Sequence, residues 1–176
     1  MKAVFLDRDG VVNKAIVKDR KPYPPANLTE LEILPGVSLA LNNLYKRRYK
    51  LIVVTNQPDV ARGTVRLETV KEINSFLQRR LPIVDFFCCF HDNSDGCDCR
   101  KPKPGAILSA AKKYDIDLTQ SFMVGDRWRD IEAGISAGCK TIFLDYGYDE
   151  KQPIYLDYRV QSLYEASQII LGENNE

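Results

Sequence analysis

Five short apolar runs, KAVFL at 2–6, LIVVT at 51–55, IVDFFCCF at 83–90, SFMV at 121–124 and KTIFL at 140–144, alternate along this chain with segments of helical period. Continuous apolar runs of that length suit strands covered on both faces. Between them Val37, Leu41, Leu44 and Tyr45 recur at three and four residues, as do Val65, Thr69, Ile73, Phe76 and Leu77, the stripe of an amphipathic helix. Further helices fit 104–114, entered at Pro104, and 128–137, and a last one fits 161–171 after a β-prone YRV. Proline at a first helical position is pre-set for helix entry. Residues 10–35 and 146–157 read as loops.

Strands alternating with helices predict an α/β fold, a Rossmann-like, mostly parallel sheet with helices on both faces. In such sheets ligands sit beyond the carboxyl ends of the strands. The polar residues of interest fall there: Asp7, Thr55 with Asn56, and Gly125 with Asp126 each follow an apolar run. At 176 residues the whole chain, 1–176, fits one domain with a substantial core. No segment leaves room for a separate cap domain, so loops at 12–28, 57–64 and 90–104 are expected to wall the pocket.

Charge narrows the partners. Lys and Arg number 25 against 24 for Asp and Glu, so no net field favours nucleic acid or an anionic membrane surface. Any anion must be caught locally. The opening MKAVFLDRDG meets charge too early for a signal peptide, and no run approaches a membrane span. The expectation is a monomeric cytoplasmic protein, where thiols stay reduced.

FLDRDGVVN places Asp7 and Asp9 two positions apart where the first strand ends. Side chains at i and i+2 of an extended chain share a side, so both acids can face one site. Taken alone, such a pair also suits a capped loop of solvated acids. VVTNQ adds the hydroxyl of Thr55 and the amide of Asn56, RKPKPG adds Lys101 at a helix entrance, and FMVGDRWRDI adds Asp126 and, one turn on, Asp130. Alone, Lys101 reads equally as a solvated surface lysine, and Asp126 as a helix cap.

In this order the four segments resemble the haloacid-dehalogenase-like phosphatases, over about residues 3–145. The resemblance implies Asp7 as nucleophile, Asp9 as general acid/base, Thr55 and Lys101 as phosphate holders, Asp126 as a magnesium ligand and Asp130 as a supporting acid. The chemistry is coherent: an aspartyl-phosphate divides a very slow hydrolysis into two steps, and a poorly leaving alkoxide needs a proton from Asp9. Asp7, Asp126 and the backbone carbonyl of Asp9 are the oxygens a Mg²⁺ ion would take beside a phosphate, and Lys101 adds a second positive charge.

Cys89-x-His91 and Cys97-x-Cys99 offer four soft ligands within eleven residues, a set that suits structural Zn²⁺. Free thiols and a redox pair are the other readings. Cys88 should point away from Cys89 into the core, and Cys139 should be a small buried hydrophobe. With Arg100-Lys101-Pro102 following directly, the pattern resembles a zinc-containing branch of the same family that includes heptose-bisphosphate phosphatases and histidinol-phosphatases. Asn56, Gln57, Ala61, Arg62 and Gly63 match the former. That resemblance implies removal of the C7 phosphate of a heptose bisphosphate, with Arg100 as the leading candidate for the remaining phosphate, since its fork matches phosphate oxygens. Arg62, Arg127 and Arg129 are weaker candidates that also suit ion pairs, and Arg8 suits a pair with a neighbouring acid. Pro58-Asp59-Val60 departs from the Ser-Gly-Ile of many relatives. A histidinol-phosphate phosphatase, a phospho-ligand binding module and an oligonucleotide phosphatase remain the competing functions.

Overall fold

The computed structural model describes residues 1–172; residues 173–176 of the expected domain lie outside them. Eight strands and five α-helices follow in the order β1 (Ala3–Leu6), β2 (Ile16–Lys18), β3 (Lys21–Tyr23), α1 (Val37–Lys46), β4 (Lys50–Asn56), α2 (Leu67–Arg80), β5 (Asp85–Cys89), α3 (Gly105–Tyr114), β6 (Phe122–Gly125), α4 (Trp128–Ala137), β7 (Lys140–Leu144), β8 (Tyr158–Val160) and α5 (Leu163–Gly172). Six of the strands form one sheet in the order β5-β4-β1-β6-β7-β8, and every pairing in it is parallel.

The apolar runs become strands because both sheet faces are covered. Val4, Leu6, Leu51, Val53, Phe122 and Val124 point into a core closed by Leu41 and Leu44 of α1, Ile73 and Leu77 of α2, and Ala166 and Ile170 of α5. Their neighbours Ala3, Phe5, Ile52, Val54 and Met123 point the other way, into a core closed by Ala106, Ile107 and Ala110 of α3 and Ala133 and Ala137 of α4. Alternate residues of one strand thus enter opposite cores. β1 lies between β4 and β6, and the chain leaves it first towards β4 and β5 and later returns to β6. A ligand crevice opens where the winding reverses in this way. Leu6 is level with both Val53 and Val124, so Asp7, Thr55 and Gly125-Asp126 emerge side by side.

Two expectations need correction. Residues 10–35 contain the antiparallel hairpin β2–β3. Asp19 and Arg20 turn it with φ of 50° and 59°, the two left-handed residues of a tight hairpin turn. Cys88 is not in the core: it is partly exposed and its sulfur accepts a hydrogen bond from Asn74 Nδ2 at 3.2 Å. Cys139 is buried, as expected. Smaller shifts are that α2 starts at Leu67 rather than Val65 and that Pro104 caps α3 from just outside it.

Candidate active site

The chain turns sharply after β1. The carbonyl of Arg8 accepts from the amides of Val11, Val12 and Asn13 at 3.3, 2.9 and 3.1 Å, and Gly10 completes the turn at φ +92°. A Cβ at Gly10 would stand 2.0 Å from Asp126 Oδ2, so glycine is required both for the backbone angle and for the closeness of the two acidic segments. Arg8 is fully buried and donates to both carboxylate oxygens of Asp9, at 3.1 and 3.2 Å, and to Asn74. Asp9 also receives Asn13 Nδ2 at 3.0 Å and Gln57 Nε2 at 2.8 Å. Asp7 and Asp9 line the same cleft, with Asp9 held from behind by this donor set.

Lys101 reaches across the strand ends. Its ammonium donates to Asp7 Oδ1 at 2.8 Å and to the Val54 carbonyl at 2.8 Å, and pairs with Asp130 Oδ1 at 2.6 Å. Three donors meet three acceptors in a site only 2% exposed at Lys101, which satisfies the ammonium completely. Burial would lower the lysine's pKa, but Asp130 and Asp7 together raise it. Asp130 Oδ2 accepts the Arg127 amide at 2.9 Å and so caps α4, the role open to Asp126 on sequence alone. Asn56 is bound reciprocally to the backbone of Lys101, its Nδ2 to the carbonyl at 3.0 Å and its Oδ1 from the amide at 3.1 Å. The amide expected to touch substrate therefore holds the lysine segment. Thr55, 1% exposed, accepts from Gln57 Nε2 at 3.0 Å, leaving its hydroxyl proton for an anion in the cleft.

Asp7, Asp126 and Asp130 set carboxylate oxygens within 4.8 Å of one another. One ammonium stands among three acids, two of which, Asp7 and Asp126, hold their protons more tightly than a free carboxyl. Burial raises the Asp7 pKa to about 6 against the pull of Lys101. Burial, then the negative charges of Asp7 and Asp130, raise that of Asp126 well above the usual carboxylate range. Asp126 Oδ2 accepts from Tyr148 at 2.9 Å, whereas its Oδ1 is buried with no hydrogen-bond partner. Both oxygens of Asp130 are engaged, so the orphaned Asp126 oxygen and the second oxygen of Asp7 are the donors left. This all-oxygen, negatively charged set fits a hard divalent cation.

The cysteine cluster forms where β5 ends. Cys89 Sγ lies 3.5 Å from His91 Nδ1, 3.6 Å from Cys97 Sγ and 3.1 Å from Cys99 Sγ, and His91 Nδ1 is 3.3 Å from Cys99 Sγ. A tetrahedral zinc with ~2.3 Å bonds to sulfur has ligand-to-ligand edges of ~3.8 Å, close to these separations. Burial, reinforced by the Cys99 contact, pushes the Cys89 thiol up to about 12, so a thiolate there needs a cation beside it.

A cleft of about 440 Å³ opens over Asp7, walled by Lys21–Pro24 of the hairpin region, Pro58, Asp59 and Arg62, Asn93 and Arg100, and Arg127–Asp130. The four arginines differ. Arg62 is held by Asp92 at 2.7 Å and Asp59 at 3.3 Å, and Arg127 by Glu150. Among the described residues Arg100 hydrogen-bonds to neutral acceptors alone, Asn93 Oδ1 at 2.8 Å and the His91 carbonyl at 3.3 Å. Arg129 stands 4.8 Å from the centre of the Trp128 ring, and burial followed by the positive field of Arg100 and Arg127 lowers its pKa. The sequence assigned no role to Asn13, to Gln57, named only within a matching segment, or to Tyr148. The first two sit inside quoted motifs, but Tyr148 is 22 residues from Asp126 and carries no local signal.

An aspartate held through one oxygen by a buried lysine, with a second acid in the same cleft and a cluster of three carboxylates at the reversal point of a parallel sheet, suits a phosphoryl-transfer hydrolase. A family model described as "HAD-hyrolase-like" matches residues 98–166. The D-glycero-beta-D-manno-heptose-1,7-bisphosphate 7-phosphatase of Bordetella bronchiseptica is 37% identical over 159 residues, 86% of this chain and 84% of that one. The D-glycero-alpha-D-manno-heptose-1,7-bisphosphate 7-phosphatase of Photorhabdus laumondii is 33% identical over 183 residues, 97% of each chain. The crystal structure of D,D-heptose 1,7-bisphosphate phosphatase from B. bronchiseptica, complexed with magnesium and phosphate, superposes with a TM-score of 0.81 at 30% identity, covering 98% of this chain and 99% of that one. The chain belongs to the haloacid-dehalogenase-like phosphatases, in the family of the D-glycero-D-manno-heptose-1,7-bisphosphate 7-phosphatases, and is a phosphoric monoester hydrolase.

Proposed function

We propose that this enzyme removes the C7 phosphate of D-glycero-D-manno-heptose 1,7-bisphosphate, leaving heptose 1-phosphate for a nucleotide-activated heptose pathway such as that of lipopolysaccharide. The observation that carries the reading is Asp7, fixed through one oxygen by Lys101 and open through the other to the cleft and to the orphaned oxygen of Asp126. Asp7 attacks the C7 phosphorus, the bond from phosphorus to the C7 oxygen breaks, and Asp9 protonates that oxygen as it leaves. Water then attacks the phosphorus of the aspartyl-phosphate, Asp9 takes its proton, and inorganic phosphate departs with Asp7 restored. Thr55 holds the transferring group through its hydroxyl, and Lys101 through its positive charge, its three protons being engaged by Asp7, Asp130 and the Val54 carbonyl.

Asp7, Asp126 and the Asp9 carbonyl would hold Mg²⁺, which when bound offsets the charge of the acids and the phosphate. Cys89, His91, Cys97 and Cys99 would hold a structural Zn²⁺ that orders the loop delivering Arg100 and Lys101. Arg100 leads for the second phosphate; Arg62, engaged by two acids, serves instead to hold the 59–62 and 92–95 segments together. A free acid at Asp59 would suit the amine of histidinol phosphate, but Arg62 pairs with it at 3.3 Å, which supports the bisphosphate.

We read the molecule as a monomeric cytoplasmic single domain without a nucleic-acid partner. The single six-stranded sheet supports one domain, and the near-zero net charge speaks against a nucleic-acid partner; no helix of the described residues is long and apolar enough to cross a membrane. The test is phosphate release, with and without Mg²⁺, from both anomers of heptose 1,7-bisphosphate and from histidinol phosphate. Magnesium-dependent turnover should favour a heptose bisphosphate; a clear preference for histidinol phosphate would refute the assignment.

A further inference from the structure

Six basic side chains line the cleft: Lys21, Arg62, Arg100, Lys101, Arg127 and Arg129. Lys101, Arg62 and Arg127 are neutralised by acids, as described above. Lys21 is exposed on β3, where water screens it. Arg100 and Arg129 remain. Arg100 is oriented by Asn93 and the His91 carbonyl, acceptors that fix the guanidinium without cancelling its charge. Arg129 is half-buried and makes no hydrogen bond or ion pair with any described residue. It lies in the first turn of the ten-residue α4, where the helix dipole also favours an anion.

Glu150 and Asp130 offset the charge of Arg129 from a distance, but neither guanidinium is ion-paired to a carboxylate of the described residues, so the two oppose each other until an anion lies between them. A sugar phosphate dianion supplies the missing charge, and each planar fork can donate to it twice. We infer that Arg129, from α4, is the second arm of a clamp with Arg100, and that it selects substrates carrying a second phosphate remote from the one Asp7 removes. The inference deepens the proposed function and rests on it. Arg129 lies three residues after Asp126, so the residue that helps to select the substrate sits about one turn from the cation-binding acid. Asp130, which pairs with Lys101, and the specificity arm are thereby carried by the same helix.

The test compares kcat/KM for heptose 1,7-bisphosphate with kcat/KM for heptose 7-phosphate. In R129A that ratio should fall on the order of 10- to 100-fold, the range of a hydrogen-bonded charge contact, and through KM rather than kcat. R129K should recover part of it, because the charge returns without the fork. The R100A/R129A double variant should lose less than the product of the single losses, as two arms on one anion are coupled. A ratio unchanged within about twofold in R129A, an equal loss on both substrates, or a loss confined to K21A would overturn the clamp. If the wild-type enzyme hydrolyses neither heptose ester, the substrate assignment fails by itself. Calorimetric binding of fructose 1,6-bisphosphate and fructose 6-phosphate then decides: R129A must weaken the bisphosphate selectively, and equal weakening of the two rejects the clamp.

Discussion

At Lys101 one buried ammonium serves two carboxylates and a carbonyl at the floor of the cleft. Removing it leaves Asp7 and Asp130 buried and uncompensated, which typically costs about 3–5 kcal/mol. K101M should therefore show both lost turnover and a lower urea midpoint in magnesium-free buffer, whereas D7N, which removes one of the mutually repelling charges, should stay folded by circular dichroism. The same D7N variant should lose at least ~10³-fold in kcat, as expected on removing a nucleophile. Tyr148 acts through Asp126, whose Oδ2 it holds at 2.9 Å. Y148F should raise the Mg²⁺ concentration for half-maximal activity about 10-fold, the usual effect of losing an outer-shell hydrogen bond to a metal ligand. Asp7, Asp9, Lys101 and Asp126 were legible because they stand in a fixed order in the segments just after a strand or just before a helix. Tyr148 was not, because a tyrosine in an irregular loop is meaningful only once the fold brings it to the acid. Asn56 was placed correctly in the cleft, yet its amide is bound to the Lys101 backbone, a partner 45 residues away that spacing alone does not reveal.

Among the elements, the strands were readable from their unbroken apolar character, since both faces of the sheet are buried. The β2–β3 hairpin was not. Its strands are three residues each, Pro22 lies inside one of them, and the turn is made by Asp19-Arg20 rather than the Asn-Gly or Asp-Gly that announces such a turn. The Cys89–Cys99 segment contains only a short 3₁₀ turn at Asn93–Asp95, so a metal there would supply the order that regular backbone bonding does not. Stripping zinc with a chelator should lower the melting temperature and raise KM for the bisphosphate about 10-fold or more, the scale of one lost charged contact, because Arg100 loses its platform. Kinetics and metal analysis before and after chelation check this, and an unaltered KM in the zinc-free protein would detach the loop from substrate binding. G10A acts between elements: its Cβ would enter the space of Asp126 Oδ2, so Mg²⁺ affinity should fall even where the protein still folds.

Across the whole molecule, the order β5-β4-β1-β6-β7-β8 puts β1 at the reversal of winding, and this placement makes one crevice of residues spread from Asp7 to Asp130. The alternation of strand and helix announced that architecture, while the relation of the four arginines to nearby acids depended on three-dimensional pairing. Near-neutral overall charge leaves recognition to this local pattern, so salt should affect turnover of a bisphosphate through Arg100 and Arg129 rather than through a long-range field. The central claim concerns which phosphate leaves, and ³¹P NMR of heptose 1,7-bisphosphate during turnover reads it directly. The signal of the C7 monoester should disappear only when Mg²⁺ is supplied, with inorganic phosphate appearing in step and the C1 signal unchanged. Loss of the C1 signal first, or parallel loss of both, would contradict the account.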